Sequence, residues 1–150
     1  METIRLSRLT ENDLPDYFKN QWEYLCRDLF SDADTQEERA YFCSPEYRSE
    51  VRVRLLDGSL LLLRYEEKGA VLGFSQILLE RGKARVMEFW VLPQYRGRGF
   101  GKVCWQKTEE GLKTLGIHRV TLEAATNCAE KFWKTMGFTA LKQEKMEKSL

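Results

Sequence analysis

Three glycines fall within five residues of a basic stretch, Arg96-Gly97-Arg98-Gly99-Phe100-Gly101-Lys102. Glycine lets a backbone turn tightly and approach a ligand closely. Where such a loop opens a helix, unpaired N–H groups and the positive end of the helix dipole favour an anion, above all a phosphate. Arg98 and Lys102 add charge outside that cradle. Just upstream, Glu88 interrupts an otherwise apolar run, Val86-Met87-Glu88-Phe89-Trp90-Val91-Leu92. Burial there raises a carboxyl pKa toward neutrality, which suits a proton acceptor. The alternatives are an ion pair with Arg85 or a place at a solvated edge.

The glycine spacing narrows the ligand. A P-loop requires G-x-x-x-x-G-K-[ST], but Lys102 is followed by Val103 and the spacing is too short. A dinucleotide fingerprint requires G-x-G-x-x-G opening a βαβ unit, whereas this segment reads G-x-G-x-G after a run of hairpins. A glycine-rich surface turn with solubilising charges remains the bland alternative. His118 is the sole histidine and the four cysteines, Cys26, Cys43, Cys104 and Cys128, lack C-x-x-C spacing. No metal site is therefore expected. Nothing resembles the G-x-S-x-G elbow of a serine nucleophile.

The elements that must position these residues follow from hydrophobic periodicity. Residues 3–9 alternate as a half-buried strand. Thr10, with Asp13 three residues on and Pro15 behind it, starts a helix whose apolar face is Leu14, Phe18, Trp22, Leu25 and Leu29. A second helical region spans residues 35–42. Ser44-Pro45 caps another, over residues 45–56, ended by Asp57-Gly58. Residues 59–65, 70–79 and 84–92 are apolar runs split by turn chemistry, an antiparallel meander, with the third apolar on both faces as a central strand. A helix over residues 99–115 carries Cys104, Thr108, Gly111 and Leu115 down one side. A strand at 119–124, a short helix at 129–136 and a last strand, or cramped pair, within 138–150 complete an α/β sandwich of mixed sheet and helices.

Length and composition fit one globular domain over residues 1–150. Hydrophobic residues make up 43% and charged residues 31%, and 24 Lys+Arg against 23 Asp+Glu leave a formal charge of +1. Balanced charge gives no general pull toward nucleic acid or an anionic membrane. The longest apolar run, Leu60-Leu61-Leu62-Leu63, is far short of a membrane span. The start of the chain lacks signal-peptide character and the cysteines read as reduced thiols, so a cytoplasmic protein is expected. The acidic run Asp32, Asp34, Glu37, Glu38 reads as a solvated helix start, or else as a rim for a cationic amine.

The stretch Val91-Leu92-Pro93-Gln94-Tyr95-Arg96-Gly97-Arg98-Gly99-Phe100-Gly101-Lys102 closely resembles the acyl-CoA-binding signature of the GNAT acetyltransferases, with Arg96-x-x-Gly99-x-Gly101 matching its R/Q-x-x-G-x-G/A core. Downstream, Leu115-Gly116-Ile117, then Asn127, Ala129, Phe132-Trp133 and Met136-Gly137-Phe138, resemble that superfamily's following segments. The resemblance is strong over residues 86–150. It implies a GNAT-type fold with a mostly antiparallel, splayed central sheet flanked by helices. It also implies acetyl-CoA as co-substrate, an amine acceptor and room for a homodimer. On the same ground the strand carrying Trp90, Val91 and Leu92 offers backbone groups to the pantetheine arm. The amides of Arg96, Gly97, Arg98, Gly99, Phe100, Gly101 and Lys102 hold the diphosphate, and Asn127, Phe132 and Trp133 flank the pantetheine and thiol.

The implied reaction is direct attack of an amine on the thioester. An ammonium of pKa about 10.4 must lose a proton first, and a carboxylate can accept it. Glu88 is one candidate base. Glu123, near a position where some family members carry a catalytic Glu, is the other, with a salt bridge as its alternative. The family's tyrosine acid is replaced by Trp133, whose indole donates a hydrogen bond but is no useful acid. Tyr95, Cys128 or water then serves the leaving thiolate, or it departs unassisted. A non-catalytic acyl-CoA sensor of the same fold is the competing reading, and a nucleic-acid-binding loop is a third, disfavoured by the charge balance.

Overall fold

The computed structural model describes residues 3–30, 35–124, 126–142 and 145–150. Asp32 and Asp34 lie outside the described residues.

The chain opens with strand β1 (Arg5–Arg8). Thr10 donates its N–H to Asp13 Oδ2 at 2.8 Å and leads through a single 3₁₀ turn into helix α1 (Leu14–Tyr24). One π-helical turn (Leu25–Leu29) continues it, closed by Phe30 N–H to Leu25 O at 2.7 Å. Helix α2 (Gln36–Cys43) ends at Ser44, whose Oγ accepts from the Tyr47 N–H at 3.1 Å and so caps α3 (Pro45–Asp57). The meander follows as β2 (Leu60–Glu67), β3 (Ala70–Glu80) and β4 (Lys83–Val91). Its two hairpins turn on Lys68-Gly69 and Arg81-Gly82, both pairs at positive φ, the conformation that matches strand twist. Helix α4 (Phe100–Thr114) crosses to β5 (Arg119–Glu123). Helix α5 (Asn127–Thr135) and the short pair β6 (Thr139–Ala140) and β7 (Lys145–Ser149) finish the chain. Among the described residues no helix is long and apolar enough to cross a membrane.

The seven strands lie in the order β1-β2-β3-β4-β5-β7-β6, antiparallel at every junction except the parallel β4–β5 pair. The tetraleucine run shows why both sheet faces are covered. Leu61 and Leu63 enter the core that holds Trp105, Leu112 and Trp133 of α4 and α5. Leu60 and Leu62 enter the opposite core with Leu14, Tyr17 and Phe18 of α1 and Val51 of α3.

Two expected faces are shifted. On α4 the buried stripe is Phe100, Cys104, Trp105, Thr108 and Leu112, while Gly111 and Leu115 are exposed. Cys104 and Thr108 fit either phase, and the large Trp105 and Leu112 decide it by burying more apolar area. On α1, Tyr17 and Gln21 are buried with Leu14 and Phe18, and Trp22 and Leu29 are only half-buried.

A bulge positions the site. The β3–β4 register shifts so that Gln76 faces Glu88 and Ile77 faces Val86, leaving Met87 as the extra residue. Met87 is turned outward, so the third run of the meander is not apolar-buried throughout. A bulge bends its strand and increases local twist. Pairing of β4 with β5 runs only from Lys83↔Arg119 to Val86↔Leu122. Beyond that point the two strands part.

Candidate active site

Where β4 leaves β5 the sheet has an open edge. Trp90 O points toward Gly73, where a Cβ would stand 2.1 Å from it, and Leu92 N–H donates to Leu72 O at 2.8 Å. Both residues therefore bond toward β3. Strand residues alternate edges, so Phe89 and Val91 turn their backbone groups to the parted side. A cavity of about 760 Å³ lies there, bounded by Phe89, Trp90 and Val91, by the loop after β4, by the α1 end (Tyr24, Asp28, Leu29) and by α5 (Thr126, Cys128, Ala129, Phe132, Trp133).

The glycine-rich loop forms one end of that cavity. A 3₁₀ turn over Pro93–Tyr95 absorbs the Arg96 N–H, which donates to Pro93 O at 3.2 Å. Gly97 and Gly99 take φ of 72° and 83°, and Gly99 in the left-handed region is the N-cap of α4, where a side chain is strained. The first intrahelical bond runs from Val103 N–H to Gly99 O at 3.4 Å. The amides of residues 97–102 thus find no backbone acceptor among the described residues, as the first turn of a helix must leave them. Gly97, Gly99, Gly101 and Lys102 line the cavity. The side chains of Arg98, Phe100 and Leu92 do not. Arg98 lies over the Phe100 ring at 5.1 Å, Phe100 is buried in the α4 core, and Leu92 packs toward α1 and α3. The Arg96 guanidinium is engaged with protein groups: Nε donates to Val91 O at 2.8 Å, and Nη2 and Nη1 meet Asp28 Oδ2 and Oδ1 at 2.5 and 3.4 Å.

Helix α5 forms the facing wall. Thr126 Oγ1 accepts from the Ala129 N–H at 3.0 Å and fixes its start. Phe132 stacks beside Phe89 with centroids 5.8 Å apart, and Trp133 meets Phe89 edge-on at 5.4 Å. Trp133 also packs on Trp105 and Phe138 and is 6% exposed. It is a wall of the slot and a core residue together. The Asn127 side chain lies outside the described residues. Tyr95 and Cys128, the candidate substitutes for the missing tyrosine, both border the cavity. So does Tyr24, whose ring stacks on Trp90 at 4.5 Å, nearly parallel.

Glu88 lies on the α1 and α3 side of β4. Gln21 Nε2 donates to its Oε2 at 2.8 Å and Tyr17 Oη at 3.4 Å. Gln76, its cross-strand partner, donates to Tyr17 Oη at 3.0 Å and Tyr47 Oη at 3.2 Å, and Gln21 also reaches Tyr47 Oη at 2.7 Å. Burial raises the Glu88 carboxyl from 4.5 to about 7, with the Gln21 and Tyr17 hydrogen bonds holding it back. Burial, and then the Glu88 charge, push Tyr17, Tyr24 and Tyr47 upward, so all three remain protonated donors. Tyr17, Gln21, Tyr47 and Gln76 were not legible as site residues. Their one trace is the i,i+4 spacing of Tyr17 and Gln21. Arg85 does not pair with Glu88; it meets Glu123 at 3.3 Å, both side chains half exposed. Neither Glu123 nor Glu88 lines the cavity, although Glu88 is the neighbour in sequence of Phe89, which does. Among the described residues no group of three His, Cys, Asp or Glu could hold a metal ion.

Comparison with known proteins agrees with this geometry. A family model described as an acetyltransferase (GNAT) domain matches residues 30–150. No match was found among curated protein sequences. A solved PaiA N-acetyltransferase of Thermoplasma acidophilum, in complex with coenzyme A, superposes with TM-score 0.80 at 19% identity over 98% of this chain and 99% of that one. A GCN5-related N-acetyltransferase of Rhodopseudomonas palustris gives 0.73 at 21% identity over 100% and 98%. A GNAT acetyltransferase of Brucella melitensis, in complex with acetyl-CoA, gives 0.67 at 18% over 98% and 88%. With its splayed sheet, its glycine-rich loop and a family match over most of its length, the chain belongs to the GNAT acetyltransferase family.

Proposed function

We propose that the protein transfers the acetyl group of acetyl-CoA to a primary amine of a small molecule or peptide. The observation that carries this is the single cavity joining three features: the parted edge of β4 at Phe89 and Val91, the acceptor-free amides of residues 97–102, and the α5 wall. Amides at a helix start suit a diphosphate. The β4 edge suits an amide-bearing arm such as pantetheine, and the apolar wall suits its methylenes. That same-fold structures were obtained with coenzyme A and acetyl-CoA bound is consistent with this reading.

Glu88 accepts a proton from the ammonium, directly or through water, which frees the nitrogen lone pair, and the neutral amine then attacks the thioester carbon. The C–N bond forms, the C–S bond breaks, the electron pair leaves on sulfur as CoA thiolate, and the second proton that the acylated nitrogen sheds passes through water to that thiolate. Negative charge developing on the carbonyl oxygen is met by the Val91 N–H on the open edge. A thiol of pKa about 8.5 is a fair leaving group without an acid, which makes Trp133 tolerable where the family carries tyrosine.

The test is thiol release from acetyl-CoA across amines, polyamines, aminoglycosides and peptides. Acetylated product from at least one amine, abolished with acetyl-CoA omitted, supports the proposal. One observation, Trp133 in the acid's place, favours a non-catalytic acyl-CoA-binding domain instead. Tight CoA binding without turnover on any amine, unchanged by Glu88→Gln, would establish that alternative.

A further inference from the structure

Asp28 sits 68 residues before Arg96 in the chain and yet holds it by two bonds, Nη2 to Oδ2 at 2.5 Å and Nη1 to Oδ1 at 3.4 Å. It is placed by the π-helical turn that ends α1. In such a turn one extra residue shifts the register, and here Tyr24, Asp28 and Leu29 all border the cavity. Asp28 also meets Arg27 Nε at 3.4 Å. The remaining inner donor of Arg96, Nε, is spent on Val91 O at 2.8 Å. One guanidinium thus ties three elements together: the end of β4, the start of the glycine-rich loop and the end of α1.

We infer that the Asp28–Arg96 pair is a clasp that sets the position of the phosphate loop, so that Asp28 governs CoA affinity through Arg96 and Arg96 is a positioning residue rather than a diphosphate ligand. This rests on the loop being the diphosphate site. The Arg96 charge is already balanced by a bidentate carboxylate, the geometry in which a guanidinium is most fully committed. Arg96 borders the cavity, but its backbone N–H is consumed by Pro93 O and its Nε, Nη1 and Nη2 are engaged by Val91 O and Asp28. Its substitution acts on CoA by releasing the loop from β4 and α1. Removing Asp28 leaves the Nη groups without their partner and has the same effect.

A double-mutant cycle tests this, with CoA titrated calorimetrically into the wild-type protein, Asp28→Asn, Arg96→Ala and the double variant. Each single substitution is expected to weaken CoA by about tenfold, and the double by no more than the worse single, because residues acting as one unit are non-additive. In steady state Asp28→Asn raises KM for acetyl-CoA with kcat within about twofold, since the Glu88 side is untouched. Multiplying losses, or tighter CoA binding in Asp28→Asn, would overturn the clasp and make Arg96 a direct ligand. Should Arg96→Ala not fold, Asp28→Asn and Asp28→Glu decide alone: unchanged affinity in the first contradicts the clasp, and loss in the first with recovery in the second supports it. A wild-type protein that binds no CoA instead overturns the diphosphate site itself, a result distinct from additive losses in a protein that binds.

Discussion

Gln21 donates its side-chain amide to Glu88 Oε2 at 2.8 Å and to Tyr47 Oη at 2.7 Å. A buried glutamine on α1 therefore bridges the carboxylate of β4 to the first turn of α3. Among the described residues, both hydrogen bonds to the Glu88 carboxylate fall on Oε2. The donors lower its pKa but do not cancel the cost of desolvation, and the group settles near 7. A carboxylate so placed is a stronger base than an exposed one and still ionises at physiological pH.

Turnover should therefore rise with pH along a limb of apparent pKa near 7 as Glu88 ionises. Glu88→Gln should lower kcat by about 10²–10³-fold and abolish that limb. Stability gives an independent check. The folded carboxyl holds its proton more tightly than the unfolded one, at about 7 against 4.5. The stabilisation is full below the lower value and is lost as pH climbs through the higher. Wild-type protein should thus fall relative to Glu88→Gln by at most about 3 kcal/mol over that window. Melting curves at successive pH values measure it, and parallel curves for the two proteins would contradict a desolvated Glu88.

The two carboxylates considered for proton transfer should separate cleanly. Neither lines the cavity, but Glu123 is half exposed and pairs with Arg85 at 3.3 Å, whereas Glu88 is held by Gln21 and Tyr17 one residue from the cavity wall at Phe89. Glu123→Gln should leave kcat within about threefold and change stability by less than about 1 kcal/mol, the worth of an exposed pair. Parallel pH–rate profiles of the two variants read this directly. A loss for Glu123→Gln matching that of Glu88→Gln would reassign the base.

The sequence carried the strands, the caps and the glycine-rich loop because each is written locally. Ser44-Pro45, the hairpin turns and the alternating leucines act over a few residues. What it did not carry depends on partners far along the chain. Gln21 and Tyr17 look like solvated positions of an amphipathic helix until β3 and β4 bring Gln76 and Glu88 onto them. The bulge at Met87, beside the point where β4 leaves β5, is not marked by alternation alone. Asp28 meets Arg96 from the π-helical turn that ends α1, and no local propensity announces that. On α4 Cys104 and Thr108 suit two phases, and only the packing of Trp105 and Leu112 against the sheet turns Gly111 and Leu115 outward.

Gly101 offers the cleanest test of the slot. A Cβ there would stand 3.4 Å from Phe132 Cε1 and 3.5 Å from Val91 Cγ2. Alanine is nearly accommodated, whereas the branched methyls of valine must project into the space between loop and α5. Its φ is not in the left-handed region, so the fold should survive. Gly101→Val should weaken CoA by at least about 100-fold, or about 2.7 kcal/mol, with an unchanged circular dichroism spectrum. Full affinity in the folded variant would place the ligand elsewhere.

Trp133 contacts Phe89, Trp105, Phe132 and Phe138 through its ring, so Trp133→Tyr removes packing area while restoring the hydroxyl that the family carries. The smaller ring leaves a partial cavity and should cost about 1–2 kcal/mol of stability. If the thiolate leaves without an acid, the new hydroxyl has little to add. Turnover at saturating substrate should then stay within about threefold of wild type, a change of less than about 0.7 kcal/mol in the barrier. A tenfold gain would mean that protonation of sulfur limits the wild-type enzyme and that indole is a compromise. A tenfold loss in a folded variant would mean that the indole itself orients the thioester against Phe89 and Phe132. Single-turnover measurements with acetyl-CoA at a temperature well below both melting points separate these outcomes from the stability change.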